Sequence, residues 1–154
     1  MRAQGAVEYL ILLAVVLVMA LVVVALLSGG LAGTGDTKIT ESLTYWRGAA
    51  PIGIIQLAAG SGGNKTLIQN NAPEIIAINS ITLTNIPANG AVLSNSTGIA
   101  LSPGQRAVIE FVGTGPICQT GGVVEYNVVI AYNTGSLLGS QLQIGSRPIA
   151  ARCY

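Results

Sequence analysis

Glu8 is four residues after Gln4 and just before nineteen apolar residues, Tyr9 to Leu27, that include no charge, glycine or proline. A carboxylate at the end of such a segment is costly and marks function. It suits the positive end of a helix dipole if it falls in the first turn. Buried among apolar helices, it needs a cationic partner. The other acids are Asp36, Glu41, Glu74, Glu110 and Glu125, with no close pair in sequence. Glu110 and Glu125 would make a glycosidase-like pair only if their strands were neighbours. Solvated strand faces explain them more simply. The chain has no histidine, so it lacks Ser-His-Asp and Cys-His machinery, a histidine metal ligand and a histidine pH switch. Its two cysteines, Cys118 and Cys153, cannot fill a structural zinc site. Gly60 to Thr66 lacks the G-x-x-x-x-G-K-[ST] spacing of a phosphate loop and reads as a flexible loop between strands. No catalytic residue, cofactor or metal is expected.

These residues sit in a chain of 154 with formal net charge +1 and only 8% charged side chains, against about 25% in an ordinary soluble domain. Seven basic residues against six acidic ones make no cationic surface for nucleic acid. The apolar block is long enough, at 1.5 Å per residue, to span the roughly 30 Å hydrocarbon core of a bilayer. It is apolar all round, so every face must be buried in lipid or against other helices. Ser28, Gly29, Gly30, Gly33 and Gly35 then interrupt it.

Three readings of this start compete. A secretory signal peptide cut near Ala32 calls for an apolar region of about 7–15 residues, shorter than this one. A plain transmembrane anchor leaves Glu8 without a role. In a prepilin-type signal, the short leader Met1-Arg2-Ala3 is removed and the apolar helix stays in the mature protein.

The run Ala3-Gln4-Gly5-Ala6-Val7-Glu8-Tyr9 favours the third reading. It resembles the class III signal peptide of archaeal type IV pilins, over roughly residues 1–28. Leader length, glutamine, the glutamate four residues on, the tyrosine and the apolar run all coincide. It is also similar to small bacterial Flp-type pilins, which share the Glu-Tyr pair but are much shorter. The leader, with Arg2 as its one positive charge, is minimal for the family. The resemblance implies cleavage between Ala3 and Gln4 by a membrane peptidase. It implies assembly through Gln4, Glu8 and Tyr9, with Glu8 facing the new terminal amine of a neighbour's Gln4. The implied partners are copies of the chain, the prepilin peptidase, an assembly ATPase and its membrane platform. The membrane holds the precursor, and an adhesive filament on the cell surface is the product.

The elements that follow the block have another period. Ile81–Thr84, Ala107–Phe111, Val123–Tyr132 and Leu138–Ile144 alternate as half-buried strands. Ile52–Leu57, Ile75–Ile78, Ala91–Leu93 and Ile99–Leu101 are further strand candidates. In Val123–Tyr132, one face carries Val124, Tyr126, Val128, Ile130 and Tyr132. Asp36 to Trp46 reads equally as helix or first strand. The expected fold class is α+β: a long N-terminal apolar helix, then an all-β antiparallel sandwich of immunoglobulin-like type. The expected division is leader 1–3, helix and Gly-rich hinge 4–35, and extracellular β domain 36–154.

Two sequons, Asn64-Lys65-Thr66 and Asn95-Ser96-Thr97, lie beside turn signals and are expected on surface loops as glycosylation sites. In an oxidising exterior, the even cysteine count favours one disulfide, Cys118 to Cys153. It would pin the last residues to the loop before Val123, and the closed loop would stabilise by about 4 kcal/mol. The surface is rich in Ser, Thr, Asn and Gln. Such a surface suits an extracellular domain, and also one meant to pack against copies of itself without desolvating charge.

Overall fold

The computed structural model describes residues 4–29, 34–60, 63–86, 90, 92–96, 98–113, 119–135 and 139–154. It is α+β: an N-terminal apolar helix followed by mostly antiparallel sheets. The chain divides into two compact units, Met1–Thr34 and Gly35–Tyr154.

In the first unit, α1 spans Gln4–Gly29, 26 residues. Alanine, leucine and methionine favour the helix, and the interspersed valines are weaker formers that an apolar environment tolerates. Described side chains from Val7 to Ala25 are all exposed within the single chain.

The second unit opens with α2, Thr34–Arg47, which settles the ambiguous stretch as helix. Asp36 is in its first turn and Arg47 in its last, each at the favourable end of the dipole. Nine strands follow among the described residues: β1 Ile52–Ala58, β2 Asn64–Asn70, β3 Ile76–Asn85, β4 Val92–Asn95, β5 Ile99–Leu101, β6 Arg106–Phe111, β7 Val123–Thr134, β8 Gln141–Ile144 and β9 Ile149–Arg152. They form a three-stranded sheet, β1-β2-β6, and a six-stranded sheet ordered β4-β3-β7-β8, with β5 on β3 and β9 on β7.

Ile54, Ile68 and Ile109 of the small sheet and Ile78, Leu83, Val128 and Ile130 of the large one belong to a single buried cluster. The face read from β7 is the buried one: Val124, Tyr126, Val128, Ile130 and Tyr132 are each at most 8% exposed. Trp46, at the end of α2, is 0% exposed, and its indole N–H donates to the Arg147 carbonyl at 3.1 Å. Ser42 links the same helix to β9: its hydroxyl accepts from the Ala150 amide and donates to the Ile39 carbonyl, both at 3.0 Å.

Three differences from the sequence pattern have physical causes. The two expected strands Ile75–Ile78 and Ile81–Thr84 are one strand, β3, carrying a bulge between Ile78 and Ser80. That bulge shifts the alternation and makes one strand look like two. The stretch read as a flexible loop contains the start of β2. Its inward positions include Thr66 and Asn70, at 2% and 0% exposure, so the core phase carries polar residues. Asn70 is accommodated because its Nδ2 donates to the carbonyls of Glu74 and Leu101, and its Oδ1 accepts from the Ala72 amide. Finally, the unit is not all-β, because α2 belongs to it.

The edges of the two sheets meet. Ser94 and Val112 exchange backbone hydrogen bonds of 3.3 and 3.1 Å, joining β4 to the end of β6. Ala59 and Cys153 form a parallel bridge beyond β1 and β9, and the Tyr154 amide donates to the Ala59 carbonyl at 3.0 Å. Along the free edge of β1, the Gln143 side chain binds Ile52 and the Arg47 Nε donates to the Ile55 carbonyl at 3.1 Å.

Candidate assembly site

Of the residues expected to act in processing and assembly, Ala3 lies outside the described residues. Gln4 is the first residue of α1. Glu8 and Tyr9 are both exposed on that helix, Tyr9 at 68%. Because α1 begins at Gln4, Glu8 is its fifth residue, one place beyond the first turn, which holds no acid. The dipole falls off within that turn, so its contribution at Glu8 is smaller than the sequence spacing implies. Glu8 is the one acid in a helix that is otherwise apolar from Val7 to Leu27. The segment Val7–Ala25, 19 residues, is long and apolar enough to cross a membrane by length and composition.

The acids of the second unit do something else. Three ion pairs fasten α2 to β7, to the turn before β9 and to β9: Lys38 to Glu125 and Glu41 to Arg147, both at 2.8 Å, and Asp36 to Arg152. Hydrogen bonding and charge attraction from Glu125 hold the Lys38 ammonium above its ordinary pKa. The three pairs are solvent-exposed, so each contributes little to stability. The sequence showed local charge in Thr37–Trp46 but not its partners, which are 87 to 116 residues away.

Glu110 is on β6 of the small sheet and pairs with Lys65 at 2.6 Å. Glu125 is on β7 of the large sheet. Their strands are therefore not neighbours, and the carboxylate pair considered from sequence is not formed. Among the described residues, no group of three His, Cys, Asp or Glu side chains could hold a metal ion.

The asparagines of the two sequons are at strand ends rather than on loops. Asn64 opens β2, half-buried, in phase with the inward-facing Thr66. The Thr66 hydroxyl donates to the Gln56 carbonyl at 2.9 Å. Asn95 closes β4, and its Nδ2 donates to the Glu110 carbonyl at 2.7 Å. Both asparagines adjoin β6, since Asn64 is also the register partner of Phe111. Cys153 is 3% exposed and disulfide-bonded. Cys118 lies outside the described residues.

No family model and no curated protein matches this chain. A predominantly apolar helix with one carboxylate is joined in sequence to a weakly charged, mostly β unit.

Proposed function

We propose that this chain is a pilin, the structural subunit of an archaeal type IV pilus-like adhesive filament. The observation that carries the reading is α1: 26 residues, described side chains exposed throughout, and Glu8 as the acid at its start. Such a helix is stable only in lipid or among other helices. A membrane serves before assembly, and copies of the same helix serve afterwards. Cleavage between Ala3 and Gln4 would give a new terminal amine, one turn from Glu8 on the same face. A neighbour's amine is then the cation that a buried Glu8 requires. Peptidase, assembly ATPase and membrane platform are the partners such a route needs.

The stitched edges of the second unit support the same reading. A filament built by adding strands to a sheet needs an open backbone edge. Here the edges of β1 and of β4 and β6 are bridged at Ile52–Gln143, Ala59–Cys153 and Ser94–Val112. Assembly through α1 does not require an open edge. The two sheets around one core are read as an immunoglobulin-like sandwich, placed outside the cell and coating the filament.

Amino-terminal sequencing of the mature protein tests the proposal. Gln4 as first residue, together with filaments in sheared preparations under the electron microscope, is the expected result. An intact Met1 would instead identify a single-span surface adhesin that does not polymerise, and Gly33 a secreted domain. Cleaved subunits in trace amounts within filaments of another protein would identify a minor pilin. Glu8→Ala subunits are expected to lose most of their filament yield. Normal yield and stability from that variant would remove Glu8 from the mechanism.

A further inference from the structure

We propose that the uncharged part of the outer face of the six-stranded sheet, over β4, β3, β7 and β8 and away from Glu125, is where the head of a neighbouring copy docks within the polymer. This rests on the pilin reading above.

Val129 and Ala131 of β7 alternate with the buried Val128, Ile130 and Tyr132, so they project from the opposite face of the sheet. On β8, Ile144 is opposite Val129 and Leu142 is opposite Ala131. Directly opposed residues share a face. Ile144 is 68% exposed and Leu142 63%. These four side chains make a contiguous apolar patch at the β8 edge. Towards β4 the face continues with Thr82 and Thr84, and then Ser94 and Val92. From Asn127 to Asn133 on β7, and on the β8, β3 and β4 positions beside them, no described position on this face is charged. The charge on this sheet is at the other end, where Glu125 pairs with Lys38 of α2. The outer face of the three-stranded sheet differs, carrying Lys65, Glu110 and Arg106.

Size and charge together select the occupant. A stable interface between two free proteins needs roughly 800 Å² and 20–30 residues on each side. Counting β4, β3, β7 and β8, this face offers about ten residues, well short of that range. It is too small to capture a partner from dilute solution. It suffices among copies held at roughly millimolar effective concentration by their helices. A charged partner would leave its charge desolvated and unpaired on such a surface. A second copy of the same weakly charged head meets both conditions.

The test uses filaments of the full chain carrying Leu142→Lys and Ile144→Lys together. Val108→Lys, at a 60% exposed position on the other sheet, is the control. The double variant is expected to leave about tenfold less material sedimenting as filament after a mild detergent challenge, a change that a loss of about 1.4 kcal/mol produces. Its circular dichroism melt should match wild type, and the control should behave as wild type in both measurements. If the lysines unfold the head, Leu142→Ser with Ile144→Thr retains strand-compatible residues and should show the same ranking. A double variant as resistant as wild type overturns the docking face and leaves the pilin reading standing. Equal loss from Val108→Lys overturns it as well. Wild-type chains that form no filament overturn the pilin reading, and this contact with it.

Discussion

The side-chain amide of Gln143 acts on Ile52 as a backbone would. Its Oε1 accepts from the Ile52 amide at 3.0 Å, and its Nε2 donates to the Ile52 carbonyl at 2.8 Å. The two residues are 91 positions apart and belong to β8 and β1, strands of different sheets. Ile52 itself is fully buried, so its backbone groups need partners. Gln143→Ala is expected to destabilise the head by about 1–3 kcal/mol, the cost of leaving a buried donor and acceptor unsatisfied. Urea unfolding should show a lower midpoint at an unchanged slope. Gln143→Glu, which keeps the acceptor and loses the donor, should fall between the two.

Gly145 lies against the Trp46 indole, and a Cβ built there would overlap the ring atoms Cζ2 and Cη2. Trp46 is fully buried and hydrogen-bonded, so it has little room to yield. Gly145→Ala is expected to cost about 1–3 kcal/mol by overpacking. Trp46→Ala should cost more, about 3–5 kcal/mol. Thermal melts of the two variants check the order.

Alkaline pH should weaken the head from two positions. Lys38 has a raised pKa because Glu125 hydrogen-bonds to it and attracts its charge. Its contribution is complete below the unfolded value of 10.5 and is lost as pH rises through the raised folded value. Burial raises the Tyr126 phenol above 10.0, against a smaller lowering by its hydrogen bond with Asn85. The unfolded chain then releases that proton first, so stability falls above pH 10.0. Tyr45 opposes this. Hydrogen bonds from Ser146 lower its pKa, so its contribution appears as pH rises towards 10.0. Stability measured from pH 8 to 11 should decline less steeply in Tyr126→Phe than in wild type, as linkage requires.

A free-thiol assay on non-reduced native protein should find no reactive sulfhydryl, with Cys118 paired to Cys153. Reduction should lower stability by about 4 kcal/mol in the chain-entropy account. Two titratable thiols would refute the pairing.

Sugar at Asn64 or Asn95 should be added before the head folds. The Thr66 hydroxyl is committed to Gln56 and the Asn95 amide to Glu110 in the folded state. Unfolded chains should therefore be better acceptors for the transferase than folded ones, as read by intact mass. Native material without added mass at either site would remove both as modification sites.

What the sequence showed depended on how cleanly each element alternates. The β7 face was legible because its inward positions from Val124 to Tyr132 are all large and apolar. In β2, Thr66 and Asn70 occupy inward positions and obscure the period. In β9, Ile149, Ala150 and Ala151 are buried in succession, because α2 covers Ala150 from the other side. Four residues without alternation carry no strand signal. At the candidate site, the carboxylate and the apolar helix were visible at once. The ion pairs of α2 were not, since each depends on a partner brought close only by the fold.

The bridged edges have a consequence for crowding. Subunits of a polymer are stored and assembled at high local density, where an open row of backbone donors and acceptors templates cross-β stacking. In this head the amide of Gln143, the guanidinium of Arg47 and the chain end at Tyr154 occupy those groups along β1. On the β1 side, folded heads can therefore be packed closely with fewer backbone groups left open to template such stacking.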